Sequence, residues 1–225
     1  MRSYIIYLMD ELDFDKEAQE SLLADFDKIE ANEEAKKEFY DCIASYEADI
    51  NVNYGTLLTN AEKAGEKAGV HKYSAGLLVF MCMSKHLKAC YEKENIDLQI
   101  WHDSMLDLKW KLWECKAVKG IWGSFVAWWF PGFFNMTRFA LGRLQFDFAR
   151  YGNTYKDEEF DLKPDDMIIG VHIPRTLTPL DKPSYDAAFD MAREFFKDKM
   201  NGAPMAFTCC SWLLYPDNID ILPEK

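Results

Sequence analysis

Proline is missing from the chain until Pro131, although 8 occur in its 225 residues. The long leading stretch therefore contains no residue that breaks a helix by lacking a backbone N–H. Six cysteines are present, at 42, 82, 90, 115, 209 and 210, but none stands in a C-x-x-C or comparable spacing. A zinc knuckle and a disulfide framework both lack a basis, and no metal is expected. The glycine-rich phosphate loops G-x-x-x-x-G-K-[ST] and G-x-G-x-x-G do not occur, nor do H-E-x-x-H and G-x-S-x-G. Nucleotide hydrolysis, dinucleotide binding, zinc proteolysis and serine hydrolysis thus have no motif to rest on. Internal repeats, low-complexity tracts and flexible linkers are also lacking. The start, "MRSYIIYLMDELDFD", has neither the apolar run nor the small-residue cleavage site of a secretory leader, so a reduced, cytoplasmic protein with free thiols is expected.

Positive charge is scarce. There are 26 Lys and Arg against 38 Asp and Glu, a net of −12, which argues against nucleic acid as a partner. The deficit is uneven: residues 1–69 hold 7 cations against 17 acids, whereas residues 119–150 hold four cations (Lys119, Arg138, Arg143, Arg150) and only Asp147. A locally basic, aromatic segment in an acidic chain suits a small anion, although pairing with the acidic N-terminal block is the better reading from charge alone.

What is abundant is apolar: 49% hydrophobic and 15% aromatic residues, ample for a packed core. In the first half the apolar positions recur at helical spacing. Leu22, Leu23, Phe26 and Ile29 share one face, as do Phe39, Cys42, Ile43, Tyr46 and Ile50. "TLLTNAEKAGEKAG" is a weaker helix because Gly65 and Gly69 lower its propensity. "SAGLLVFMCMSKHLKACYEKEN" is apolar nearly all round at its start, as a central core helix would be. Asp97 can cap a following helix that turns Ile100, Leu108, Leu112 and Cys115 inward.

From Gly120 the texture changes. "GIWGSFVAWWFPGFFNMT" runs to Thr137 without a charge, close to membrane-span length, but Pro131 and its glycines interrupt it. Buried helix ends or a joint between domains fit better than membrane contact through an interfacial tryptophan-rich anchor. "RLQFDFARY" then alternates, with Leu144, Phe146 and Phe148 on one side and Arg143, Gln145 and Asp147 on the other, which is a half-buried strand. "MIIGVHIP" has strand length, Asp181 or Ser184 can open the helix "YDAAFDMAREFFKDKM", and "MAFTCCSW" is another strand candidate. Strand, helix, strand is the order of a βαβ crossover.

Chemistry by motif is thin. Cys82, His86 and Cys90 share a helical face, but the outer two stand roughly 12 Å apart along the axis, so core packing is the better reading. Cys209 and Cys210 would point to opposite faces of a strand and cannot share a metal. A nucleophilic cysteine would need a base such as His172.

Three segments resemble a known family. "LGRLQFDF", "VHIP…PLD…AREFF" and "FTCCSWLLYP" are similar to signature segments of bacterial acyltransferase-domain proteins, and "YEKENIDLQIWHDSMLDLKWKLWE" resembles the end of their helical domain. The similarity covers roughly residues 75–225. It implies an α+β architecture, with an all-helical N-terminal domain over 1–125 and a GNAT-like (N-acetyltransferase-like) α/β domain over 126–225. It implies acyl transfer from an acyl-CoA such as acetyl-CoA to an amine acceptor, a small molecule or a peptide, by direct attack on the thioester. On that resemblance "IIGVHIP" and "AFTCCSW" are neighbouring parallel strands, and "RTLTPLDKPS" faces the phosphates. Arg143, Arg175, Thr176, Thr178 and Ser184 become candidate cofactor-binding residues. His172 becomes a candidate base, while a core strand histidine remains the alternative. Cys209, Ser211 or Tyr215 would protonate the leaving thiolate.

The chain departs from the family in three places. "RTLT" replaces a Gly-Gly pair, Cys210 stands where histidine is usual, and the family continues through a further strand beyond "DNIDILPEK". The resemblance thus implies a C-terminally incomplete sheet with an open edge. It leaves a second reading, a catalytically degraded or truncated homologue acting as a binding module.

Overall fold

The computed structural model describes residues 1–158, 160–211, 213 and 215–220, the side chains of 219 and 220 excepted. The chain forms two compact units, Met1–Met136 and Thr137–Lys225.

The first unit is helical. Helices α1 (Arg2–Glu11), α2 (Lys16–Ala31), α3 (Glu33–Ala48), α4 (Tyr54–Lys67), α5 (Lys72–Lys93) and α6 (Leu98–Lys119) follow one another, with α7 (Pro131–Phe134) closing the unit. Side-chain caps start four of them. Asn32, Asn53, His71 and Asp97 each accept a first-turn backbone N–H, relieving donors that a helix leaves unpaired. Helix α5 is the axis of the unit, and every residue from Ser74 to Ser84 is buried. The two glycines that weaken α4 on paper have separate uses. A Cβ on Gly65 would stand 2.4 Å from the Ala75 Cβ, so glycine lets α4 and α5 approach closely. Gly69, at φ +70°, ends the helix, with its N–H on Glu66 and that of Val70 on Gly65, a Schellman arrangement.

The family resemblance puts the domain boundary at 125/126, whereas the first compact unit runs to Met136. Phe130 and Phe134 pack edge-on against Phe80 at 5.2 and 4.9 Å, and the buried Tyr46 hydroxyl donates to the Phe134 carbonyl. Aromatic burial of this kind contributes about 2–3 kcal/mol per ring, which ties 126–136 to the helices. Among the described residues no helix is long and apolar enough to cross a membrane.

The second unit is built on a mixed sheet. Strands β1 (Arg138–Leu141), β2 (Leu144–Arg150), β5 (Met167–His172) and β6 (Phe207–Cys209) lie in the order β1-β2-β5-β6. Strands β3 (Tyr155–Lys156) and β4 (Asp161–Leu162) form a separate two-stranded ribbon, and α8 (Lys182–Phe196) connects β5 to β6. β1–β2 and β2–β5 are antiparallel, while β5–β6 is parallel, so β5–α8–β6 is the expected crossover. The hairpin Leu141-Gly142-Arg143-Leu144 has positive φ only at Gly142 (+62°), as a type II′ turn requires. That turn sets the register Arg138↔Asp147 and Leu141↔Leu144.

One sheet face is aromatic. Phe139, Phe146, Phe148 and Phe207 meet Phe189, Phe195 and Phe196 of α8 with ring centroids 4.7 to 6.1 Å apart. Side-chain alternation sends Arg138, Gln145, Asp147, Gly170, His172 and Thr208 to the other face. Trp212, the end of the strand expected over 205–212, and residues 221–225 lie outside the described residues.

Candidate active site

The polar face of the sheet carries one concentrated set of charges. His172 closes β5, and its Nε2 lies 2.6 Å from Oδ2 of Asp147 on the adjacent strand. The register pairs Asp147 with Gly170 and His172 with Gln145, so the imidazole reaches its carboxylate diagonally. Glycine at 170 leaves room for that reach. A Cβ there would stand 3.4 Å from the Asp147 Cβ and 3.9 Å from His172 Nε2, in ordinary contact with both.

Asp147 is gripped from its far side. Arg138 Nε donates to Oδ1 at 2.6 Å and Nη2 to Oδ2 at 3.0 Å, a two-pronged contact from the directly paired residue of β1. Burial pushes the Asp147 carboxyl up, but hydrogen bonds from His172 and Arg138, with their charges, outweigh it and hold the group below the usual carboxylate range. Arg138 is 8% exposed, and its charge is paired with Asp147.

The segment after β5 is shaped by the other predicted residues. Arg143 on the hairpin turn donates to the carbonyls of Pro174, Thr178 and Pro179, and burial lowers its guanidinium from the ordinary value. It thereby fixes the loop that follows His172. Thr176 and Thr178 bond through their hydroxyls at 2.9 Å, and Arg175 is exposed on the same loop. Ser184 belongs to the start of α8, where Asp181 is the N-cap. The Asp181 carboxylate accepts the Ser184 N–H at 2.9 Å, and the Ser184 hydroxyl accepts the Asp181 N–H in a capping box.

For an anion such as an acyl-CoA diphosphate, the loop itself offers Arg175 and two threonine hydroxyls. Arg143 and Ser184 already serve the loop and the cap. The Asp181 carboxylate occupies the helix end that would otherwise suit a phosphate.

Cys209 pairs with Val171 and follows Phe207 onto the α8 face, opposite to His172. Burial and the neighbouring Cys210 raise its thiol, which therefore stays protonated near neutrality. Ser211 accepts the N–H of Leu213, and Tyr215 is 59% exposed. Among the described residues no cluster of three His, Cys, Asp or Glu could hold a metal ion. In the helical unit Cys82 is buried, and the His86 ring packs edge-on against Tyr46.

Sequence reasoning selected His172 but passed over Asp147 and Arg138. The alternation of β2 put Asp147 on the polar side, and the local excess of cations drew attention to Arg138. Only the strand register joins them to the histidine.

A helical unit followed by a sheet in which an antiparallel hairpin leads into a strand–helix–strand crossover is the arrangement of a helical domain joined to a GNAT-like domain. The sequence pattern of the N-acyltransferase N-terminal domain matches residues 4–136, and that of the GNAT-like C-terminal domain matches residues 139–225. The chain belongs to this family.

Among solved structures, an acyltransferase in complex with decanoyl-CoA and teicoplanin superposes with a TM-score of 0.69 at 18% identity, covering 96% of this chain and 64% of the other. An acyltransferase mutant bound to octanoyl-CoA gives 0.72 at 17% identity, with the same coverage. An acyltransferase with decanoyl-CoA gives 0.66 at 19% identity, covering 96% and 65%. At these identities the likeness is one of fold. The chain spans about two thirds of the length of these structures. No curated protein sequence matches it.

Proposed function

We propose that this protein transfers an acyl group from an acyl-CoA to the amine of a small-molecule or peptide acceptor. The observation that carries the reading is His172, anchored by Asp147 at the end of β5 beside the parallel strand β6. Membership of the N-acyltransferase N-terminal domain family supports it, and so do the acyl-CoA complexes of structures with the same fold. Because one of those relatives binds teicoplanin, a small-molecule acceptor is favoured over a peptide.

In the proposed reaction the acceptor nitrogen attacks the thioester carbonyl and His172 takes its proton. The C–N bond forms as the C–S bond breaks, and the thiolate leaves with the sulfur electron pair. Ser211 and Tyr215 are the proposed donors to that thiolate, since Cys209 faces α8. Arg175, Thr176 and Thr178 would contribute contacts to the phosphates, with Arg143 holding their loop. The free thiols support a reducing, cytoplasmic setting.

The test is thiol release from decanoyl-, octanoyl- and acetyl-CoA with a panel of primary amines. Release should depend on the acceptor and fall roughly 10²–10⁴-fold in His172→Gln. Release that is independent of His172 would defeat the assignment of the base.

A second reading, a non-catalytic binding module, draws on the capped start of α8 and its Asp181 carboxylate. It predicts acyl-CoA-independent capture of a partner and no thiol release with any donor.

A further inference from the structure

We infer that Arg138 and Asp147 form a positioning pair that selects the working atom of His172: the carboxylate holds Nε2, so Nδ1 is the nitrogen that receives the acceptor's proton. The inference rests on the acyl-transfer reading and deepens it.

An ionised carboxylate only accepts hydrogen bonds, so the ring nitrogen 2.6 Å from Asp147 Oδ2 is the one that bears hydrogen. In the neutral imidazole the lone pair then lies on Nδ1. Two consequences of the Arg138 contact keep Asp147 in the form that imposes this tautomer. Its carboxyl is held below the ordinary range despite burial, through His172 and Arg138. Its rotation is blocked because Arg138 grips both oxygens from β1 at 2.6 and 3.0 Å. A lysine could supply the charge but not the planar fork. The device spans three strands, and each member is fixed by ladder register rather than by a mobile loop.

The proton balance follows. As the C–N bond forms and the C–S bond breaks, the amine proton moves to Nδ1 and the ring becomes an imidazolium. Asp147 stabilises that cation through Nε2–H, while Arg138 draws on the same carboxylate charge.

The other ionisable groups on the flanking strands are few. Arg150, at the far end of β2, donates to the Asp165 carbonyl. Cys209 of β6 stays protonated near neutrality. Helix α8 lies on the opposite sheet face, where it keeps Lys182–Asp186 and Arg193–Asp190 in exposed pairs.

Nitrogen-15 NMR of the intact protein reads the tautomer, with the His172→Gln spectrum assigning the signal. The expected result is a neutral ring protonated at Nε2. Protonation at Nδ1 alone would overturn the proposal whatever the activity. In turnover, D147N should lower kcat roughly 10²–10⁴-fold with little change in KM, as loss of an orienting carboxylate does elsewhere.

R138Q should lower kcat by up to roughly 10²-fold through misplacement of the ring. KM should change little, and R138K, which keeps the charge but not the planar fork, should recover part of kcat. An R138Q enzyme that keeps wild-type kcat while Tm falls would reduce Arg138 to a structural role and sink the proposal. If R138Q does not fold, R138K and the wild-type tautomer decide between the same two outcomes. Failure to transfer any acyl group refutes the functional reading alone, because the tautomer measurement needs no substrate.

Discussion

Asp147 accepts hydrogen bonds from Arg138 Nε, Arg138 Nη2 and His172 Nε2, and the sign of its pH effect follows from them. Its folded value lies below the ordinary carboxylate value, as burial raises it and the hydrogen bonds and charges of His172 and Arg138 lower it more. The stability it contributes is therefore fully present above about pH 4, the unfolded value, and is lost as pH falls through the lower folded value. Denaturant titrations from pH 6 to 2 should show a steeper acid loss for wild type than for D147N. Parallel slopes would mean that the carboxylate contributes nothing in that window. This residue also marks how far the sequence can be read at this scale. Its side of the strand followed from alternation with Phe146 and Phe148, but its partners did not. His172 is 25 positions away, and a pair at that separation leaves no periodic trace.

At the scale of elements, caps and close approaches dominate. The helix α8 has both halves of a capping box at Asp181 and Ser184, so D181A should destabilise the protein by about 1 kcal/mol, and D181N by less. Equilibrium unfolding measures the difference, and a D181N loss equal to that of D181A would show that the side-chain cap is immaterial. Gly123 is a stricter case. A Cβ there would lie 2.5 Å from the Tyr73 carbonyl carbon and 2.7 Å from the Ser74 nitrogen, both backbone atoms that cannot swing aside. Ser124 also donates to the Tyr73 carbonyl, which seats this loop on the start of α5. Gly123→Ala should cost about 1–3 kcal/mol by overpacking, whereas Gly69→Asn, at a positive-φ helix end, should cost less. Gly65 and Gly69 explain why α4 looks weak from propensity alone. Host–guest propensity counts the entropy lost at Gly65 but not the helix–helix contact that glycine permits.

At the scale of the molecule, the acyl-donor proposal makes a binding prediction independent of turnover. A ligand that binds only the folded chain at a hundred times its Kd stabilises it by about 2.7 kcal/mol. For a chain of this length that raises Tm by roughly 5–10 °C. Decanoyl-CoA in a thermal melt should give this shift, and R175Q a smaller one. No shift with decanoyl-, octanoyl- or acetyl-CoA would count against the donor class.

Much of the element order is legible in the chain: a proline-free helical half, an apolar central helix, an alternating strand, and a strand–helix–strand crossover, though not β1 or the β3–β4 ribbon. These are local properties, written in the 3.6 and 2.0 periodicities of apolar residues, and a single chain displays them. Two matters were decided only in three dimensions. The first is where the helical unit ends, since residues 126–136 join it through the rings of Phe80, Phe130 and Phe134 rather than through any change in composition. The second is the meeting of Arg138, Asp147 and His172 on one sheet face. It depends on a two-residue turn at Gly142 and on the β2–β5 register, and a slip of one residue would send each side chain to the opposite face.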